Sequence, residues 1–111
     1  MLNNYNSSIL VAFNSVVSNG LALNPTLLDS CFASTGYFDT IEEQIASVFR
    51  SIVKNHIFQD GNKRTAVLFL FDACNQNSTN LIVTDKQLFD IVIMVATTKI
   101  EVSEISTLLF G

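Results

Sequence analysis

The chain has 111 residues, 49% of them hydrophobic and 14% charged, with four glycines and one proline. That composition is too apolar for a disordered chain and too poor in turn residues for a many-stranded β domain. Ten acidic against six basic residues give a net charge of −4 and an isoelectric point near 4.6, the reverse of the balance a general nucleic-acid binder uses. The apolar run Ile91 to Ala96 falls far short of the ~20 residues a bilayer span needs. Met1 to Asn6 is polar and uncharged, unlike the basic start of a secretory signal. The expectation is one cytoplasmic, all-α domain over residues 1–111, with no nucleic-acid and no membrane partner.

Ser8 to Asn19 reads as an amphipathic helix, with Ile9, Ala12, Phe13, Val16 and Val17 at helical spacing and Asn19-Gly20 as its stop. Asn24-Pro25 has the form of an N-cap followed by a first-turn proline, opening a short helix through Leu27, Leu28, Cys31 and Phe32. Ser34 to Asp39 has no helical period and reads as a loop or a small β-hairpin. Thr40-Ile-Glu-Glu43 is a capping box, followed by the apolar series Ile41, Ile45, Val48, Phe49, Ile52 and Val53.

Residues 56 to 61 break that helix, and the next starts at Asn62. Its segment Val67 to Phe71 is apolar on every face, the mark of a helix buried on most sides. Asn75 to Asn80 is a polar connector, and Leu81 to Val83 a briefly extended one. Thr84-Asp-Lys-Gln87 is a second capping box, opening a helix through Leu88, Ile91, Val92, Val95 and Ala96. A last helix runs from Ser103 to Phe110 with Ile105, Leu108 and Leu109 inward. The architecture is a bundle of about six helices. Cys31 and Cys74 stand among apolar residues without metal or redox spacing, as inert core thiols do.

One stretch is not a simple connector: His56-Ile-Phe-Gln-Asp-Gly-Asn-Lys-Arg-Thr65. Gly61 permits a positive φ. The helix starting at Asn62 offers unpaired N–H groups and the positive end of its dipole, which favour a phosphate. Lys63 and Arg64 oppose that dipole, a conflict a bound polyanion removes. Asp60 suits Mg²⁺, which is held by one or two carboxylates plus phosphate oxygens. His56, the one histidine, has an ordinary pKa that suits a general base near neutrality. Phe58 is the core anchor of the loop. Taken singly, a histidine at a helix end, an Asp-Gly turn and a Lys-Arg pair are usually structural. Their combination points to phosphoryl or nucleotidyl transfer.

The string H-I-F-Q-D-G-N-K-R-T-A resembles the Fic/Doc signature H-x-F-x-[D/E]-[G/A]-N-[G/K]-R, each fixed position being met by His56, Phe58, Asp60, Gly61, Asn62, Lys63 and Arg64. The likeness runs over roughly residues 24 to 110, taking in Leu27 to Ser30, Glu42-Glu43, Ile52 to His56 and, for the Doc branch, Val95 to Leu109. It implies a Fic-type bundle acting on ATP with Mg²⁺. Typical Fic members, which transfer AMP to protein hydroxyls, have Gly where this chain has Lys63 and a second Arg where it has Val67. Both departures are those of Doc toxins, which pass on the γ-phosphate of ATP and modify a translation elongation factor. Gly61, by contrast, is the Fic choice where Doc proteins often have Ala.

By position, the resemblance makes His56 the base and Asp60 the Mg²⁺ ligand, with Gly61, Asn62, Lys63 and Arg64 holding phosphates. Lys54 stands where a basic residue assists them, a plain surface lysine being the other reading; Thr65 and Ala66 serve helix packing. Ser34 to Asp39 corresponds to the flap that pairs with the target's extended backbone. The inhibitory [S/T]-x-x-x-E-[G/N] helix finds no match, since Val102 follows Thr97 to Glu101. The resemblance therefore implies a small antitoxin protein as partner, and a homodimer is compatible with the sequence. A catalytically silent binding module is the alternative from another class.

Overall fold

The computed structural model describes Leu2 and residues 5–111; Met1, Asn3 and Asn4, and with them part of the Met1 to Asn6 reading, lie outside the described residues. Among the described residues there are six α-helices: α1 (Ser7–Val17), α2 (Pro25–Ser30), α3 (Ile41–Lys54), α4 (Asn62–Gln76), α5 (Asp85–Thr97) and α6 (Val102–Phe110). A 3₁₀ helix covers Ala33–Tyr37, and an antiparallel bridge joins Ala22 to Phe58. None of the helices is long and apolar enough to cross a membrane. The all-α expectation holds. The radius of gyration, 12.6 Å, is close to the ~13 Å of a packed 100-residue chain.

The start signals work as the sequence suggests, with exceptions that reveal what each side chain does instead. Thr40 accepts from the Glu43 N–H, but the Glu43 carboxylate takes the Thr40 hydroxyl rather than its N–H, so only half the capping box forms. Thr84 and Gln87 complete both halves of theirs. Asn24 caps α2 by position only, since its amide is engaged elsewhere. Ser34 to Asp39 forms no hairpin. The Thr35 N–H and hydroxyl both return to the Phe32 carbonyl, and the Ser34 and Ser47 hydroxyls pair at 2.9 Å, so local bonds tighten this stretch into a 3₁₀ turn against α3.

Helix α3 is the central element, packed against α4, α5, α6 and the 3₁₀ turn, while α1 lies against α4. Its predicted stripe is buried: Ile45, Val48, Phe49 and Ile52 are fully so. Two cations on this helix tie down the far end of α5. Arg50 Nε donates to the Ile100 carbonyl at 2.8 Å, and Lys54 Nζ to the carbonyls of Val95 and Thr98 at 3.0 and 2.6 Å. Lys54 thereby satisfies orphan carbonyls and complements the negative end of the α5 dipole.

Not every residue of the predicted stripes turns inward. Val16 is 77% exposed, and Ala12 and Leu108 are also at the surface, because α1 turns Leu10 and Asn14 inward and α6 turns Ile105 and Leu109; Phe71 on α4 is at the surface as well. Leu81 to Val83 forms no strand; the Ile82 N–H donates to the Leu109 carbonyl. Both cysteines are buried, and burial pushes the Cys31 thiol up to about 12.

The N-terminal segment is anchored by Tyr5, whose ring meets Phe69 edge-on at 5.3 Å and whose hydroxyl donates to Asp72. Burial, then the bond to Asp72, holds that hydroxyl protonated above the usual tyrosine range. The folded state therefore grips this proton more tightly than the unfolded chain. The associated stability is complete below about pH 10 and declines as pH rises beyond it. Tyr5→Phe should lower urea stability by about 1–2 kcal/mol near neutrality and flatten the alkaline decline.

Candidate active site

The loop between α3 and α4 is built around an aromatic that leaves the solvent. His56 follows the Asn55 cap of α3 with φ 46°, a left-handed conformation uncommon for a residue with a side chain. The chain then enters the core: Ile57 and Phe58 are 0% and 1% exposed. Phe58 is the anchor that the sequence predicts.

Burying this backbone obliges every peptide group to find a partner. The segment after α1 supplies the first set. Leu23 and Asn24 N–H both donate to the Ile57 carbonyl, at 2.8 and 3.2 Å, and the Gln59 N–H donates to Leu21 at 2.9 Å. Three asparagine amides supply a second set. Asn24 Nδ2 donates to the His56 carbonyl at 2.9 Å. Asn62 clasps Phe58 twice, accepting from its N–H and donating to its carbonyl, each at 2.9 Å. Asn14 Nδ2 donates to the Asp60 carbonyl at 2.8 Å.

Gly61 then turns the chain into α4. Its φ is 75°, and a Cβ there would stand 3.1 Å from Val17 Cγ2 and 3.2 Å from Ser18 Cβ. Position and backbone both demand glycine. No side chain caps α4, so the N–H groups of its first turn remain available to an anion. Asp60 and Arg64 form an ion pair at 3.6 Å with both side chains mostly exposed, at 69% and 63%. Such a pair is worth about 0–1 kcal/mol, so either partner is free to meet a phosphate or a cation. Ser18 Oγ also donates to Asp60 Oδ2, at 3.3 Å.

Asp60, Gly61, Asn62, Lys63 and Arg64 all line one cavity of about 770 Å³. Its polar end is this helix start. Its wall is apolar, from Val67, Leu68 and Phe71 on α4 and Leu88, Phe89 and Ile93 on α5. The all-round hydrophobicity of Val67 to Phe71 thus has two destinations: Phe69 and Leu70 enter the core, and the others face the cavity. Among the described residues no three His, Cys, Asp or Glu side chains cluster as a metal cage. A lone exposed carboxylate beside a phosphate-ready helix start fits Mg²⁺, whose remaining ligands come from phosphates and water.

Five of the seven sequence-derived site residues are therefore brought together. The other two stand apart. His56 is exposed at the start of the same loop and is not among the residues lining the cavity. Lys54 is committed to the α5 carbonyls. The Asn62 side chain is spent on Phe58, which leaves its backbone N–H to offer. Thr65 and Ala66 are fully buried, in accord with a packing role.

Sequence reasoning missed Asn14, Asn24 as a loop ligand, and Asp85, which lines the cavity from the first turn of α5. Asn14 stands four residues after Leu10 on the buried face of α1, a face that the apolar spacing of that helix did not select.

Residues 21–73 match the model of the Fic/DOC family. The match spans slightly under half of the 111 residues, from the segment paired with the loop to the last turn of α4, and supports a Fic domain here. The likeness of Val95 to Leu109 to the Doc branch lies outside it. No curated protein matches the chain.

Gly61→Ala should destabilise the fold by about 1–3 kcal/mol, from the left-handed backbone and the crowding by α1. Lys54→Met should lower stability by about 1–3 kcal/mol through the α5 carbonyls left unpaired. Chemical denaturation reads both.

Proposed function

We propose that this chain is a Doc-like toxin that moves the γ-phosphate of ATP to a hydroxyl of a protein target, a translation elongation factor by resemblance. The observation that carries this reading is the uncapped start of α4, where Gly61, Lys63 and Arg64 open with Asp60 on one cavity. The family match supports the coarser statement, transfer of a nucleotide-derived group to a protein. A cavity of about 770 Å³ lies within the range of small-molecule sites, and its apolar wall suits the part of a nucleotide beyond the phosphates.

In this reading the target hydroxyl gives its proton to His56 as its oxygen bonds to the γ-phosphorus. The bond from that phosphorus to the β,γ-bridging oxygen breaks, and ADP leaves. Lys63, Arg64 and the first N–H groups of α4 hold the phosphate charge, which is where most of the catalysis of such transfers resides. Asp60 would hold Mg²⁺, which when bound shares that charge. The reaction belongs in the cytoplasm, and a small antitoxin protein would restrain it.

AMP transfer is the second reading, favoured by one specific feature, the Fic-like Gly61. There the hydroxyl attacks the α-phosphorus and pyrophosphate leaves. ATP labelled at the α- or γ-phosphate, incubated with the protein and a cell lysate, separates the two. The γ-label should reach a target protein and the α-label should not. His56→Ala should reduce labelling about 10²–10⁴-fold, as loss of a general base does; undiminished labelling would remove His56 as the base, and undiminished growth inhibition would return the chain to a silent binding module. Lys63→Gly should weaken γ-phosphate transfer more than nucleotide binding, and equal loss of both in a titration would count against the phosphate orientation.

A further inference from the structure

Asn14 is fully buried, yet it belongs to a helix outside the charged loop. Its Nδ2 donates to the Asp60 carbonyl at 2.8 Å and to Thr65 Oγ1 at 3.0 Å, and its Oδ1 accepts from the Gly20 N–H at 2.9 Å. The two Nδ2 acceptors flank the first turn of α4, one on each side of Gly61 to Arg64. From this geometry we infer that Asn14 is a positioning residue for the phosphate and metal site: one amide sets the Asp60 carboxylate against the N–H groups of α4. The inference rests on the nucleotide-binding reading above.

A packing role alone would be met by any residue that fills the space. The amide does more, because its bond to Asp60 ties the peptide that carries the carboxylate to α1, the helix on whose end the Gly61 turn into α4 packs. Asn14 touches neither substrate nor metal, so its influence passes through the Asp60 peptide. Groups that orient a metal ligand in this way typically alter affinity 10–100-fold when removed.

The test compares Asn14→Ala with Thr65→Val. The valine variant removes the Oγ1 acceptor and leaves the bond from Asn14 to Asp60, so it reports the cost of disturbing the same buried junction. Binding of Mg·ATP is measured by calorimetry under conditions where each variant is folded. Asn14→Ala should bind about 10–100-fold more weakly than wild type, whereas Thr65→Val should stay within about twofold. Equal affinities for both variants and wild type would overturn the inference while leaving the proposed function standing. A wild type that fails to bind Mg·ATP would overturn both.

If the alanine variant does not fold, the wild type decides. The side-chain amide resonances of Asn14 should shift on addition of Mg·ATP. Those of Asn77, whose Nδ2 donates to the Ala73 carbonyl at the other end of α4, should not. Asn14 resonances that stay fixed while nucleotide binds would overturn the inference.

Discussion

A peptide chain drawn into an apolar interior must find partners for its N–H and C=O groups, and that requirement governs the charged loop of this protein. Phe58 and the preceding isoleucine go inside as a pair, with no helix and scarcely any sheet to satisfy the backbone around them. The solution is three asparagines, at 14, 24 and 62, each donating to a carbonyl of the loop. They come from α1, from the segment before α2 and from α4. The loop is thereby held by much of the N-terminal half of the molecule, and its shape is a property of the whole packing.

Rigid support of this kind makes the electrostatics of the α4 start intelligible. Cations in a first turn oppose the dipole by about 0.3–1 kcal/mol each, and Lys63 and Arg64 are both there, with only one weak ion pair to Asp60 between them. A helix free to fray would relieve the repulsion. This one is fixed by Gly61 packed on α1 and by the buried Thr65, so it keeps its uncapped N–H groups and its two cations in place. The apolar cavity wall has a similar logic. Phe71 and Phe89 remain partly open to solvent where the spacing of the helices leaves a space rather than a seam.

Much of the fold was legible from periodicity and caps. The stripes of α3 and α5 are unambiguous because Ile45, Val48, Phe49 and Ile52, or Ile91, Val92 and Val95, recur at helical spacing and all go inside. Helix α1 misled because its buried face contains a polar residue. An apolar count selected Val16, whereas the helix turns Asn14 inward to serve the loop. The signature loop showed which residue types would gather, and five of them share a cavity. It could not show that Asn62 spends its amide on Phe58, a local bond set by the path of the buried loop, nor that Lys54 reaches α5, which depends on where two helices meet. Asn24 misled in the same way: a good N-cap type is also a good ligand for a neighbouring carbonyl, and tertiary proximity decided between them.

The left-handed backbone at His56 bears on how such a chain changes over generations. Glycine would adopt a φ of 46° without resistance, whereas a histidine held there carries strain of about 1–3 kcal/mol. Drift under selection for robustness alone would replace the imidazole and gain a sturdier molecule. A lineage that retains it accepts a permanent handicap at that corner.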